Sequence, residues 1–127
     1  MTDIEEDIRV FSDSQVLEIV VMNLLDNAVK YGMDKDVTVH LCQQGNNGIL
    51  KVIDQGLGIP DAEKKEVFQR FYRLEDEEYK GVEGTGLGLF IVKELLTKID
   101  STVSIANNSP SGSVITVKVQ CLEERSK

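Results

Sequence analysis

Histidine occurs once in this 127-residue chain, as His40, and cysteine only twice, as Cys42 and Cys121. Zinc sites need closely spaced groups of these residues and disulfide frameworks need more cysteines, so neither is indicated. No apolar run approaches the roughly 18 residues of a bilayer span, and the acidic start at residues 3–7 is unlike a signal peptide. Basic residues are outnumbered, with 14 Lys and Arg against 22 Asp and Glu, for a formal charge of −8. Long-range repulsion therefore opposes non-specific binding to nucleic acid or to an anionic membrane. A cytoplasmic location is expected, with no membrane contact by this chain, whether or not a longer parent is anchored in the inner membrane.

With 41% apolar residues, the chain has enough to build one core and is too short for two domains, so a single domain over residues 1–127 is expected. Residues 8–11 read as a short strand, and Ser12, Asp13 and Ser14 offer N-cap oxygens to a helix over 15–31 that Gly32 stops. Residues 37–41 alternate apolar and polar, 45–48 read as a turn and 48–53 return as a second strand, which predicts a hairpin. Beyond the loop at 54–60, a helix is expected from Asp61 with Val67, Phe68 and Phe71 on one face. An acidic, glycine-rich loop at 74–84 precedes a buried helix at 87–99, and two alternating segments, 102–106 and 113–119, flank a turn-forming cluster at 107–112. The sum is an α+β two-layer sandwich, a mixed sheet with helices on one face.

In the first helix, Asn23, Asp26, Asn27, Lys30 and Tyr31 fall in a stripe roughly 140° wide, with Leu17, Val20, Val21, Leu24, Leu25 and Ala28 assigned to the opposite side. An ordinary amphipathic helix would account for a polar stripe. Asparagine, however, is a mediocre helix former, and Lys, Glu or Arg would solvate the surface better. Buried without partners, each amide would cost roughly 1 to 3 kcal/mol, so the stripe would need a ligand, a metal or ordered water. Neutral oxygen donors beside a lysine suit a magnesium-bound polyphosphate.

Asp54, Gly56 and Gly58 follow an apolar strand, where glycine lets the backbone approach a flat ligand and a buried carboxylate can accept from an exocyclic amino group. Gly84, Gly86 and Gly88 open a helix whose free N–H groups favour an anion. Neither run alone is specific. The second matches neither a dinucleotide-binding fingerprint, since Leu89 stands where the third glycine belongs, nor a P-loop, since Leu87 follows Gly86 where lysine belongs.

Together, Asn23-x-x-x-Asn27 with Lys30-Tyr31, Asp54-x-Gly56-x-Gly58, Phe68-x-x-Phe71-Tyr72-Arg73 and Gly84-x-Gly86-x-Gly88 resemble the N, G1, F and G2 boxes of bacterial sensor histidine kinases. The resemblance runs from about residue 8 to residue 119. It implies the catalytic ATP-binding domain, with the Bergerat sandwich shared by gyrase, heat-shock chaperone and mismatch-repair ATPases. By motif position it implies ATP and Mg²⁺ as cofactors, with Asn27 on the metal and Asn23 supporting it. Lys30 would meet phosphate, Tyr31 would pack near adenine or ribose, and Asp54 would bind the adenine amino group in a pocket shaped by Gly56 and Gly58. Phe68 and Phe71 would anchor a lid over residues 74–83, Arg73 would reach the terminal phosphate, and Gly86 and Gly88 would give backbone donors to the phosphates. Lys80, Gly84, Thr85 and Leu87 complete the implied nucleotide contacts. Arg73, Lys30 and Asn23 are the residues assigned to phosphotransfer.

Hydrolases of the superfamily and the anti-sigma serine kinases carry glutamate where Asn23 stands, and asparagine cannot act as that base. Two features depart from the family. Residues 99–102 replace the frequent His-Gly-Gly turn, and the helical hairpin bearing the phosphoacceptor histidine is absent; His40 lies in an alternating strand and lacks that motif. The expected partners are therefore ATP or ADP, a separate phosphoacceptor-histidine domain and, indirectly, a response regulator. In isolation the module is expected to be a monomer unable to phosphorylate itself. A weak ATPase, a serine kinase or a non-catalytic nucleotide-sensing module stay open as alternatives.

Overall fold

The computed structural model describes residues 2–4, 14–32, 35–72, 87–109 and 111–120. Helix α1 (Ser14–Tyr31) is followed by the hairpin of β2 (Thr38–Gln44) and β3 (Asn47–Ile53), and helix α2 (Gly88–Lys98) by β4 (Thr102–Asn107) and β5 (Ser113–Gln120). A further strand, β1 (Thr2–Ile4), lies parallel to β2, while the other pairs are antiparallel, so the sheet is mixed, in the order β1-β2-β3-β5-β4. The expected strand at 8–11 lies outside the described residues, and β1 was not foreseen.

Register explains the core. Leu50 pairs with Val117 and Val52 with Ile115, so alternate side chains of the two central strands rise from the same face. Val20, Leu24 and Ala28, four residues apart on α1, and Val92 and Leu96 on α2 close over them. The opposite face carries His40 opposite Lys51, and Lys51 opposite Thr116, which is the polar side expected of an antiparallel sheet covered once. The α+β two-layer architecture thus follows from periods of four on the helices and two on the strands.

Helix α2 ends in a Schellman motif. The Ser101 N–H donates to the Leu96 carbonyl at 2.8 Å and the Asp100 N–H to Thr97 at 3.2 Å, with Asp100 left-handed at φ 55°. Two earlier expectations need correction. The helix expected from Asp61 is a pair of 3₁₀ turns, Asp61–Glu63 and Glu66–Phe68. Gln69 is extended and Phe71 has φ 65°, so the chain turns away before a helical face can form. Val67 is buried, Phe68 is half-buried and Phe71 is 64% exposed.

The polar stripe of α1 is also not the antipode of the core. Val20, Leu24 and Ala28 form its buried seam, and Asn23, Asn27 and Tyr31 flank that seam, half-buried. The side facing out carries Met22, 64% exposed, and Val29, 67% exposed.

Candidate nucleotide site

Asp54 stands one residue beyond β3, at the end of the sheet. Its N–H continues the ladder to the Ser113 carbonyl at 2.9 Å, so the start of β5 fixes its position. Asp54 is buried, 4% exposed. Its Oδ1 accepts from the Gly56 N–H at 2.9 Å and the Ser113 N–H at 3.3 Å, and its Oδ2 from the Ser113 hydroxyl at 2.6 Å. A carboxylate has about four acceptor positions, and described residues take three of them. The buried charge is therefore compensated while one position on Oδ2 is left for a further donor.

The glycine loop after Asp54 rests on the β4–β5 turn. Asn108 donates to the Asp54 carbonyl at 3.1 Å, and Ser111 to the Gln55 carbonyl at 3.4 Å. Gly58 packs so closely that a Cβ on it would stand 2.8 Å from the Gly112 carbonyl oxygen. Gly112, at φ 107°, passes so near Asp54 that a Cβ there would lie 2.8 Å from the Asp54 carbonyl carbon. Only glycine combines that φ with that approach.

Helix α1 links the two glycine segments. A Cβ on Gly32 would lie 3.7 Å from the Asp54 Cβ, and a Cβ on Gly88 would lie 3.2 Å from Asn23 Oδ1. Asn23 and Gly32 are nine residues apart, about 13 Å at the helical rise. Asn27 and Tyr31 lie between them on the same edge, so α1 runs from the start of α2 to Asp54.

Asn23 donates its Nδ2 to the Ile19 carbonyl at 2.9 Å, which turns Oδ1 outward from the helix as an acceptor toward Gly88. At α2 the first helical turn runs from the Ile91 N–H to the Leu87 carbonyl at 2.8 Å, so the N–H groups of Gly88, Leu89 and Phe90 have no acceptor within the helix. The positive helix end therefore faces a neutral amide oxygen, an arrangement suited to an anion with a hard cation beside it. Lys30 pairs with Asp26 at 2.9 Å on the exposed side of the stripe.

The segment after the glycine loop straps across α2. Lys93 Nζ lies 5.6 Å from the centre of the Phe68 ring, and the Arg70 guanidinium 5.0 Å from that of Phe90. The Tyr72 hydroxyl donates to Glu63. Among the described residues no cluster of three or more His, Cys, Asp or Glu is arranged for a metal, so any cation here would rely on the amide oxygens and its own ligand.

The structure therefore brings together Asn23, Asn27, Tyr31, Asp54, Gly56, Gly58, Leu87 and Gly88 along one edge, with Lys30 at its rim. Phe71 is 64% exposed and is not among them. Arg73, Lys80, Gly84, Thr85 and Gly86, and the acidic lid segment, lie outside the described residues. Sequence reading missed Ser113, Gly112 and Asn108. Their signal was the Ser-Gly-Ser triplet opening an alternating strand, which acquires meaning only from the register that sets it opposite Asp54.

Residues 12–123 match the family described as histidine kinase-, DNA gyrase B- and HSP90-like ATPase. Sensor protein CiaH of Streptococcus pneumoniae is 33% identical over 111 residues, covering 87% of this chain and 25% of its own length. Sensor-like histidine kinase SenX3 of Mycobacterium tuberculosis is 32% identical over 124 residues, covering 97% of this chain and 30% of its own. The chain thus spans about a quarter to a third of these curated relatives. Among solved structures, the mycobacterial sensor histidine kinase MprB aligns with a TM-score of 0.77 and 31% identity, over 94% of this chain and 84% of that one. The catalytic domain of histidine kinase ThkA shares the fold, with a TM-score of 0.79 at 22% identity, over 94% of this chain and 80% of that one. Among the described residues, no helix is long and apolar enough to cross a membrane.

Proposed function

Because the chain belongs to the histidine kinase-, DNA gyrase B- and HSP90-like ATPase family, we propose that it binds Mg²⁺·ATP and donates the γ-phosphate to a histidine on a separate phosphoacceptor domain. The observation that carries this proposal is the Asp54 carboxylate, buried, oriented by three donors and open at one position of Oδ2. Such an acceptor would take the 6-amino group of adenine. Guanine would present its 6-carbonyl oxygen at that position and be repelled.

Along the α1 edge the triphosphate would run from Asp54 toward the start of α2, where N–H groups without an acceptor inside the helix would meet it, with Lys30 and Arg73 assigned to the phosphates by their motifs. Asn23 and Asn27 would hold Mg²⁺ by their amide oxygens, and the bound cation would neutralise phosphate charge. The pocket positions and neutralises the donor, and the acceptor histidine supplies the nucleophile. Asn23, with its amide nitrogen committed to Ile19, has no group that could activate water. Transfer is therefore favoured over hydrolysis. In this scheme the chain works in the cytoplasm, is a monomer in isolation, and reaches a response regulator only through the phosphorylated acceptor.

The test is calorimetric titration of the wild type and Asp54→Asn with ATP and GTP, with and without Mg²⁺, followed by incubation with γ-labelled ATP and an acceptor hairpin. Expected are adenine-selective, magnesium-assisted binding that the substitution abolishes, and label on the acceptor histidine. Steady phosphate release without an acceptor, and no label transfer, would overturn the assignment.

A further inference from the structure

Lys64 belongs to none of the motifs assigned to the nucleotide, yet its side chain is only 19% exposed. An ammonium has three N–H donors. Here each has an acceptor: the Ile59 carbonyl at 2.9 Å, the Asp61 carboxylate, and Asn107 Oδ1 at 3.3 Å. The Asn107 amide orientation is assigned from these neighbours, since only with its oxygen toward Lys64 and its nitrogen toward the Ile59 carbonyl, 3.1 Å away, are both satisfied. One backbone oxygen of the glycine loop is thus gripped from two sides, by a lysine ahead of it in the chain and by a residue of the distant β4–β5 turn.

A lysine on an open surface would keep its hydration, whereas one withdrawn from water must recover that loss through partners. The placement of this charge acts on the loop. Ile59 is buried and directly follows Gly58, which packs on Gly112. At the loop's other end the Asp54 and Gln55 carbonyls are already held by Asn108 and Ser111. Lys64 and Asn107 complete the restraint, so the backbone from Asp54 to Ile59 is tied down at both ends before any ligand arrives.

We propose that Lys64 and Asn107 form a latch that positions the Gly58–Ile59 backbone for binding the base, which makes Lys64 a positioning residue for nucleotide affinity. The latch rests on the adenine-nucleotide assignment above. Without it, ligand binding must also order residues 56–60, and that cost weakens affinity. Since the latch holds the loop beside Asp54, which meets the base common to both nucleotides, its loss is felt equally by ATP and ADP.

The experiment is calorimetric titration of the wild type, Lys64→Met, Asn107→Ala, the double variant and Lys64→Arg with ATP and with ADP, alongside thermal unfolding without nucleotide. Each single variant is expected to raise Kd by about five- to tenfold, by the same factor for both nucleotides. The double variant should lose little more than either single one, because both break the same latch. Lys64→Arg should recover most of the affinity, which a general loosening of the fold would not predict. Should Lys64→Met fail to fold, Asn107→Ala decides alone. Kd unchanged within about twofold in the folded single variants, or a loss confined to ATP, overturns the latch while the nucleotide assignment survives. A wild type that binds neither nucleotide overturns both.

Discussion

Ser113 gives Asp54 two hydrogen bonds, from its hydroxyl to Oδ2 at 2.6 Å and from its N–H to Oδ1 at 3.3 Å, across 59 positions of sequence. The carboxylate is oriented by a neighbouring strand as well as by its own loop. Ser113→Ala removes the hydroxyl donor and leaves a buried charge short of one partner, at a cost of about 1 to 3 kcal/mol. Urea unfolding should show the loss as a lower midpoint at unchanged slope. ATP titration should show a Kd raised about tenfold, with Ser113→Thr close to wild type. Equal midpoints for alanine and wild type would mean that the hydroxyl is dispensable.

Gly112 and Gly45 both have positive φ, at 107° and 59°, but only Gly112 is crowded, a Cβ on Gly45 having nothing within 4 Å. Gly45→Ala should therefore cost only the left-handed penalty, about 1 kcal/mol. Gly112→Ala adds a clash with the Asp54 backbone and should cost more than about 3 kcal/mol. Denaturant titration of the two variants side by side checks this. Similar losses would show that conformation alone, and not the approach to Asp54, demands glycine at 112.

Asp100 is left-handed where the Schellman motif favours glycine. Asp100→Gly should stabilise the chain by about 0.5 to 1 kcal/mol, and Asp100→Val should destabilise it. Thermal unfolding of both variants reads the sign directly, and a valine variant as stable as the glycine one would contradict the assigned turn.

Asp61 is held below its ordinary value of 3.8 by the hydrogen bond from Lys64 and the attraction of its charge. A carboxyl with a depressed folded-state value adds stability that is present above the unfolded value and lost as pH falls through the folded one. The stability gap between wild type and Asp61→Asn should therefore be present at pH 6 and shrink as pH falls below about 4. Thermal unfolding of both at pH 6 and pH 3 measures it. A gap that stays constant would mean that the Asp61 charge does not contribute.

The helices and the hairpin were legible because their signals are local. Val20, Leu24 and Ala28 repeat at the helical period, and residues 37–41 alternate as a strand does, whatever lies around them. The segment at 61–72 misled the same procedure. Its apolar residues are spaced for a helix, but Lys64 bends back to Ile59 and Asp61, and Gln69 and Phe71 take extended and left-handed backbones. Local hydrogen bonds and backbone turns overrode the helical spacing there.

On α1, sequence determined that the helix exists and which residues are polar, because intrinsic period and composition suffice for both. It also determined the four motifs, three on asparagine or glycine and one on phenylalanine, and hence the family. Only the tertiary structure decided that Asn23, Asn27 and Tyr31 flank the buried seam while Met22 and Val29 face outward, since a wheel shows angles and not what occupies them. It alone set Ser113 on Asp54 and Asn107 beside Lys64. Those pairs meet because strand register and a single turn carry distant residues to one end of the sheet, and a contact made by register leaves no periodic trace in the chain.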